Sequence, residues 1–285
     1  MLFRSNGALA LVPRQARPQG QVLRAQPMAL TRLTYRKFDV GQIELTYDVK
    51  LGFPSSHTYA IESVKPGGNV LDIGCGQGYV AAELAKVAGQ VTGIDQYVPD
   101  ASPAANVQLT RWDLDKNEFP VEVSRFDQIF MLDVIEHLHD PEVFMETLRA
   151  ATGRQRPEIV LTTANIAFGI TRFMLLLGNF NYGRKGILDR THTRLFTFNS
   201  LRELFEQTGY KVIEMRGIPA PFPKAIGDNF VSRLLLSMNV LCIKLLRGLF
   251  SYQIYVRAQA RPTVPNLLEE TIEASGELKK QTATV

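Results

Sequence analysis

Residues Val70–Tyr79 read VLDIGCGQGY, an apolar run that meets an acid and then glycines at alternate positions. The breaker cluster KPGGN (65–69) stands before it, so Val70–Ile73 is predicted as a short strand. The alanine-rich YVAAELAKVA (79–88) predicts a helix, and QVTGID (90–95) a second strand. Strand, helix and strand within about 25 residues make a βαβ unit, which closes right-handed in a parallel sheet. That unit fixes the class as α/β.

The alternation continues along the chain. Strands are predicted at Val107–Arg111, Phe126–Leu132, Glu158–Thr163, Lys211–Met215 and Ser251–Val256, and helices within Tyr47–Val64, Pro141–Ala151 and Leu201–Thr208. The expected architecture is a seven-stranded, mostly parallel sheet with helices on both faces. Phe168–Thr197 and Asn229–Phe250 fall outside the alternation. We therefore divide the chain into a basic arm (1–40), one domain (41–261) carrying those two insertions, and a weakly structured tail (262–285).

A chain of 285 residues, 45% hydrophobic and 21% charged, can bury a sizeable core and is neither wholly disordered nor multispanning. Net charge is only +4, and much of the excess lies in the first 38 residues, which lack Asp and Glu. Charge alone therefore gives no strong nucleic-acid signal. The arm reads as a transit peptide, as a basic extension, or as sequence upstream of a start at Met28; Leu9–Val12 is too short for a secretory core. The expected location is the cytoplasm, or the mitochondrial matrix if the arm is a transit peptide. Cys75 and Cys242 sit in no CxxC or Cys/His cluster, which argues against a disulfide scaffold or structural zinc.

A glycine loop between a strand and a helix offers bare N–H groups and the positive end of the helix dipole. Dinucleotide sites space their glycines GxGxxG to receive a pyrophosphate. Here Gly74, Gly76 and Gly78 follow GxGxG, with Asp72 directly before them. An acid there repels a phosphate and attracts an ammonium. Asp95, ending the second strand, is placed to accept ribose hydroxyls. An amino acid joined to a nucleoside meets both demands, and NAD does not.

On these residues the chain resembles the class I S-adenosylmethionine-dependent methyltransferases, which implies a Rossmann-like fold and S-adenosyl-L-methionine as cofactor. VLDIGCGQG resembles their first motif, GID their ribose-binding acid, WDLD (112–115) their adenine-edge motif and FDQIFMLDVIEHLHDP their fourth-strand motif. The resemblance implies Asp72, Gly74, Cys75, Gly76 and Gly78 around the methionine part, Asp95 on the ribose, Asp113 with Leu114 on the adenine, and Leu132 beside the cofactor. The insertion GILDRTHTRLFT further resembles bacterial methyltransferases associated with polysaccharide and glycolipid biosynthesis, which implies a sugar, a glycolipid or another small acceptor.

LDVIEHLHDP brings Asp133, Glu136, His137 and His139 to the carboxyl end of a parallel strand, where ligands bind in open α/β sheets. Methylation of a hydroxyl needs a group to take its proton, and a histidine of near-neutral pKa suits that work. Asp133, Glu136 and His137 are the catalytic candidates, with His137 first; a helix-start pair of Glu136 and His137 that orders the loop is the structural alternative. Adding His192 would make an oxygen and nitrogen ligand set for a divalent metal, partly resembling small-RNA 2′-O-methyltransferases and, more loosely, ubiquinone-pathway O-methyltransferases. Arg190 and Arg194 flank His192 and are candidates to clamp an anionic substrate or to pair with Asp189. The apolar FGITRFMLLLGNFNY (168–182), together with GRKGILDRTH after it, is expected as a lid within the insertion 168–197. Together with the amphipathic 229–250 and the basic arm, it gives the chain a means of peripheral membrane contact. The alternatives are a quinol-type or RNA 2′-O-methyltransferase and a catalytically silent, membrane-associated scaffold.

Overall fold

The computed structural model describes residues 49–116 and 118–282. The basic arm of the sequence reading lies outside the described residues. In chain order the elements are α1 (Ser56–Glu62), β1 (Asn69–Ile73), α2 (Tyr79–Leu84), β2 (Gln90–Asp95), β3 (Val107–Arg111), β4 (Gln128–Leu132), α3 (Pro141–Ala151), β5 (Glu158–Ala164) and α4 (Gly169–Leu176). They continue with α5 (Phe198–Gln207), β6 (Tyr210–Ile218), α6 (Phe222–Ile226), α7 (Phe230–Leu245), α8 (Arg247–Phe250), β7 (Gln253–Ala260) and α9 (Val264–Thr282).

The strands form one sheet in the order β3-β2-β1-β4-β5-β7-β6, parallel except for β7, which runs antiparallel to both neighbours. Side chains alternate across it, as period-two strands require. Leu71, Ile129 and Leu161 enter a core on one face with α3 and α5, whereas Val70, Phe130, Val160 and Tyr255 enter the other with α1 and α2. β5 is buried along its whole length. This explains why the central strands read as continuous apolar runs.

Chain order reverses at β1, whose neighbours are β2 on one side and β4 on the other. The crevice outside the carboxyl ends of β1 and β4 is therefore the switch point at which such sheets bind ligands.

The first helix forms directly after Pro54, as the spacing predicts, with the Ser55 side chain capping it by accepting from the Thr58 N–H. Two elements depart from expectation. β7 runs to Ala260 because β6 and β5 pair with it on both sides, whatever the polarity of Arg257 and Gln259. The tail is a 19-residue helix, α9, fastened by Arg154 to Glu269 and Glu273, by Arg156 to Glu270, and by the Asn266 side chain donating to the Gly153 carbonyl. Those partners lie more than a hundred residues away, and the local pattern carries no trace of them.

Candidate active site

The loop after β1 turns back under β2, with the Gly74 N–H donating to the Ile94 carbonyl at 2.8 Å. Gly74, Gly76 and Gly78 all take positive φ, of 77°, 53° and 78°. Gly74 is also packed so tightly that a Cβ would stand 2.4 Å from Val134 Cγ2. Gly76, by contrast, has no atom within 4 Å of its virtual Cβ, so a ligand can approach its bare backbone.

Asp72 is 2% exposed, and its Oδ2 is buried with no hydrogen-bond partner among the described residues. Burial, reinforced by repulsion from Asp95, pushes its carboxyl up to about 7. The same burial, with Asp72 and Asp95 nearby, raises the Cys75 thiol, so Cys75 stays protonated and inert. Asp95 is held in register by two backbone donors, Gly76 N–H to Oδ2 at 2.9 Å and Tyr97 N–H to Oδ1 at 2.8 Å. Each oxygen keeps a further lone pair for a ligand hydroxyl.

Beyond β3, the Trp112 N–H donates to the Asp95 carbonyl, which brings WDLD beside β2. Trp112 is buried and donates its indole N–H to the Glu118 carbonyl. Asp113 is half-buried and accepts from Gln96 Nε2 at 2.6 Å, and Leu114 packs against the core. Leu132 closes β4 at the crevice. An unpartnered buried carboxylate, an open glycine cradle and an oriented acid one strand away fit the ammonium, backbone and ribose of an S-adenosyl ligand. Gln96 was missed by sequence reasoning, since nothing but its fold position marks it.

Across the crevice, Asp133 adopts φ +57°, a left-handed conformation that non-glycine residues seldom take. It is held there by Thr162 Oγ1 and Gln253 Nε2 donating to its Oδ1 at 2.9 and 2.7 Å, with Lys50 Nζ 3.6 Å from Oδ2. Lys50 also fixes His57, donating its N–H to Nδ1, and the His57 pKa falls to about 4 through burial and the neighbouring Lys50 charge. Lys50, His57 and Gln253 carry no motif, and two chain regions remote from Asp133 bring them to it.

Glu136 turns inward rather than into the crevice. Its side chain is 2% exposed, Oε1 accepts from the Ala164 N–H, and burial followed by the Asp133 charge raises its pKa well above the carboxylate range. Its main-chain carbonyl receives Thr193 N–H, Thr193 Oγ1 and Arg194 N–H, so Glu136 anchors the 186–197 segment.

That anchoring brings His192 to His137, with ring centroids 4.8 Å apart. His137 Nδ1 meets the Thr191 carbonyl at 3.1 Å and His192 Nδ1 the Ile187 carbonyl at 2.9 Å. A carbonyl only accepts, so both Nδ1 atoms carry the hydrogen, and a neutral imidazole so placed keeps its lone pair on Nε2. Partial desolvation, against the Thr191 contact, lowers the His137 pKa and keeps it neutral at pH 7.

The metal quartet that His192 would complete does not assemble. Glu136 is interior, Asp133 is engaged by Lys50 and Gln253, and among the described residues no group of three or more His, Cys, Asp or Glu could hold a metal ion. His139 turns away to Asp115 at 3.1 Å. Arg194 pairs with Glu142 of α3 rather than with Asp189 or an open crevice, whose Asp189 carboxylate accepts from Thr191 instead. Arg190 stays exposed, with no side-chain bond among the described residues.

Comparison with known proteins places this geometry. A family profile described as a methyltransferase domain matches residues 53–215, more than half of the chain. A ubiquinone biosynthesis O-methyltransferase of Actinobacillus pleuropneumoniae serotype 7 is 28% identical over 137 residues, 44% of this chain and 57% of that one. A protein of Mycolicibacterium smegmatis named as a probable S-adenosylmethionine-dependent methyltransferase is 32% identical over 157 residues, 53% of this chain and 55% of that one. The chain thus spans a little over half the length of these curated relatives. Among solved structures, a SAM-dependent methyltransferase of Aquifex aeolicus aligns with a TM-score of 0.47 and 16% identity over 73% of this chain and 91% of that one. Magnesium protoporphyrin IX methyltransferase of Synechocystis PCC 6803 with bound SAH aligns with 0.47 and 16% over 72% and 84%. With the glycine cradle, the paired acids and the matched family profile in agreement, this chain belongs to the methyltransferase domain family of class I fold, with S-adenosylmethionine as its cofactor.

Proposed function

We propose that the chain methylates a hydroxyl group on a small acceptor, and that this hydroxyl is phenolic. The observation that carries the reading is His137: neutral at pH 7, its Nδ1 hydrogen committed to the Thr191 carbonyl and its Nε2 lone pair free. S-adenosylmethionine supplies the methyl group, as a sulfonium substituent. Asp72 and the glycine loop hold its amino-acid end, Asp95 its ribose, and Gln96 with Asp113 and Leu114 its adenine side. His137 Nε2 takes the proton of the acceptor hydroxyl, and His192 and Thr191 fix the imidazole ring.

A base of this strength matches a phenol, whose pKa is about 10, far better than an aliphatic sugar hydroxyl, which holds its proton about as tightly as water at ~16. The curated relatives named as ubiquinone biosynthesis O-methyltransferases support the same acceptor class.

The test is methyl transfer from labelled S-adenosylmethionine to catechol-type and sugar-type acceptors, with wild-type protein and His137→Ala. We expect turnover on the phenol, a kcat lower by about 10²–10⁴ in His137→Ala, and unchanged binding of S-adenosylhomocysteine. Turnover confined to sugar hydroxyls, or His137→Ala as fast as wild type, would overturn it.

A further inference from the structure

α7 carries its apolar residues on the wrong side for a soluble helix. At about 100° per residue, Ser232, Leu236, Asn239 and Ile243 fall on one face and are buried or half-buried. Asn239 anchors that face, accepting from the Ala220 N–H and donating to the Phe250 carbonyl. The opposite face, which ought to be polar, presents Phe230, Val231, Leu234, Met238, Leu241 and Leu245 to solvent, with Phe230 80% exposed.

The exposed polar residues of α7 occupy neither face. Arg233, Ser237 and Lys244 line one flank between the buried and the apolar sides. A cationic flank beside an outward apolar face is the arrangement of a helix lying in a membrane interface, with its cations at headgroup level.

α4 adds to the same surface. It buries no side chain, and Ile170, Phe173, Leu175 and Leu176 are all exposed, so tertiary packing does not account for its stability. It starts against α8, where a Cβ on Gly169 would meet the Leu249 carbonyl at 3.2 Å and Asn165 Nδ2 donates to the carbonyls of Gly248 and Ser251. β5 ends and β7 begins side by side there, Ala164 opposite Gln253, so both helices rise from the rim that holds the crevice.

Charge selects the occupant. From Asn165 to Leu188 the only charged residues are Arg172, Arg184 and Lys185, and from Phe230 to Phe250 they are Arg233, Lys244 and Arg247; Arg233 is ion-paired with Asp228 just before α7, which leaves Lys244 and Arg247 as the cations the segment offers. Beside α7 a cavity of about 480 Å³ is lined by Tyr59, Arg216, Val240, Lys244 and Arg247. Among the described residues Lys244 has no acidic partner, so the cavity offers a cation to a phosphate. No helix among the described residues is long and apolar enough to cross a membrane. We propose that α4 and α7 seat the protein on the surface of an anionic bilayer, apolar faces in the acyl boundary and the Lys244 cavity taking a lipid phosphate, with the crevice beside the lipid. This surface is separate from the methyl-transfer residues.

The experiment is co-sedimentation of the full chain with phosphatidylcholine vesicles, with and without phosphatidylglycerol, followed by sedimentation velocity without lipid. We expect binding to the anionic vesicles only, weakened by high salt, at least about tenfold weaker for Leu234→Asp/Leu241→Asp, and less selective for anionic lipid in Lys244→Glu. S-adenosylhomocysteine binding by each variant reports that it is folded. Failure to bind anionic vesicles, or binding indifferent to the Leu234→Asp/Leu241→Asp change, overturns the proposal. A dimer in solution that the same double substitution dissociates also overturns it, by assigning the face to a second copy of the chain.

Discussion

Asp72 ties the protonation of the site to its ligand. Its carboxyl titrates near 7 because it is buried beside Asp95, and an ammonium placed against Oδ2 stabilises the ionised form. S-adenosylhomocysteine affinity is therefore expected to be flat above pH 7 and to fall toward tenfold per unit below it, with proton uptake by Asp72 opposing binding; Asp72→Asn flattens the profile. Calorimetric titration between pH 5.5 and 8.5 measures it. The sign for stability is the reverse of that for a salt-bridged acid. A carboxyl raised from about 3.9 to about 7 contributes stability that is complete below pH 4 and lost as the pH climbs through 7. Asp72→Asn should accordingly stabilise the ligand-free protein at pH 8 by on the order of 2 kcal/mol and confer no advantage at pH 4, by urea denaturation at the two pH values.

Among the elements, the β1–α2 loop separates two jobs that the sequence presents as one motif. Gly74→Ala meets both the positive φ and Val134 Cγ2, and should cost about 2–4 kcal/mol of stability. Gly76→Ala meets only the backbone strain, about 1 kcal/mol, yet places a methyl where the ligand lies; it should lose ligand affinity out of proportion to stability. Urea curves and ligand titration on the two variants distinguish these outcomes. The motif was legible because strand, glycines and acids are contiguous: β2 and β3 were read to the residue, and Asp72 and Asp95 stand on β1 and at the end of β2. Lys50 and Gln253, by contrast, reach Asp133 from opposite ends of the domain, and no local pattern marks them. The inward turn of Glu136 was equally hidden, because it depends on an N–H at the end of β5. α9 was misread for the same reason, its Arg154 and Arg156 partners being remote in sequence.

For the whole molecule, the parallel core places the glycine loop and Asp95 at the carboxyl ends of β1 and β2, with the segment that carries His137 following the neighbouring strand β4, while α4 and α7 present an apolar, cation-edged surface. The central claim is that the crevice holds an amino acid joined to a nucleoside. Calorimetric titration of the full chain with S-adenosylmethionine, S-adenosylhomocysteine and NAD, repeated on Asp95→Ala, tests it most directly. The account predicts binding of both adenosyl ligands and not of NAD, weakened at least about tenfold by Asp95→Ala, as the loss of charge-assisted hydrogen bonds to the ribose requires. Binding of NAD in their place, or of no ligand at all, would contradict it.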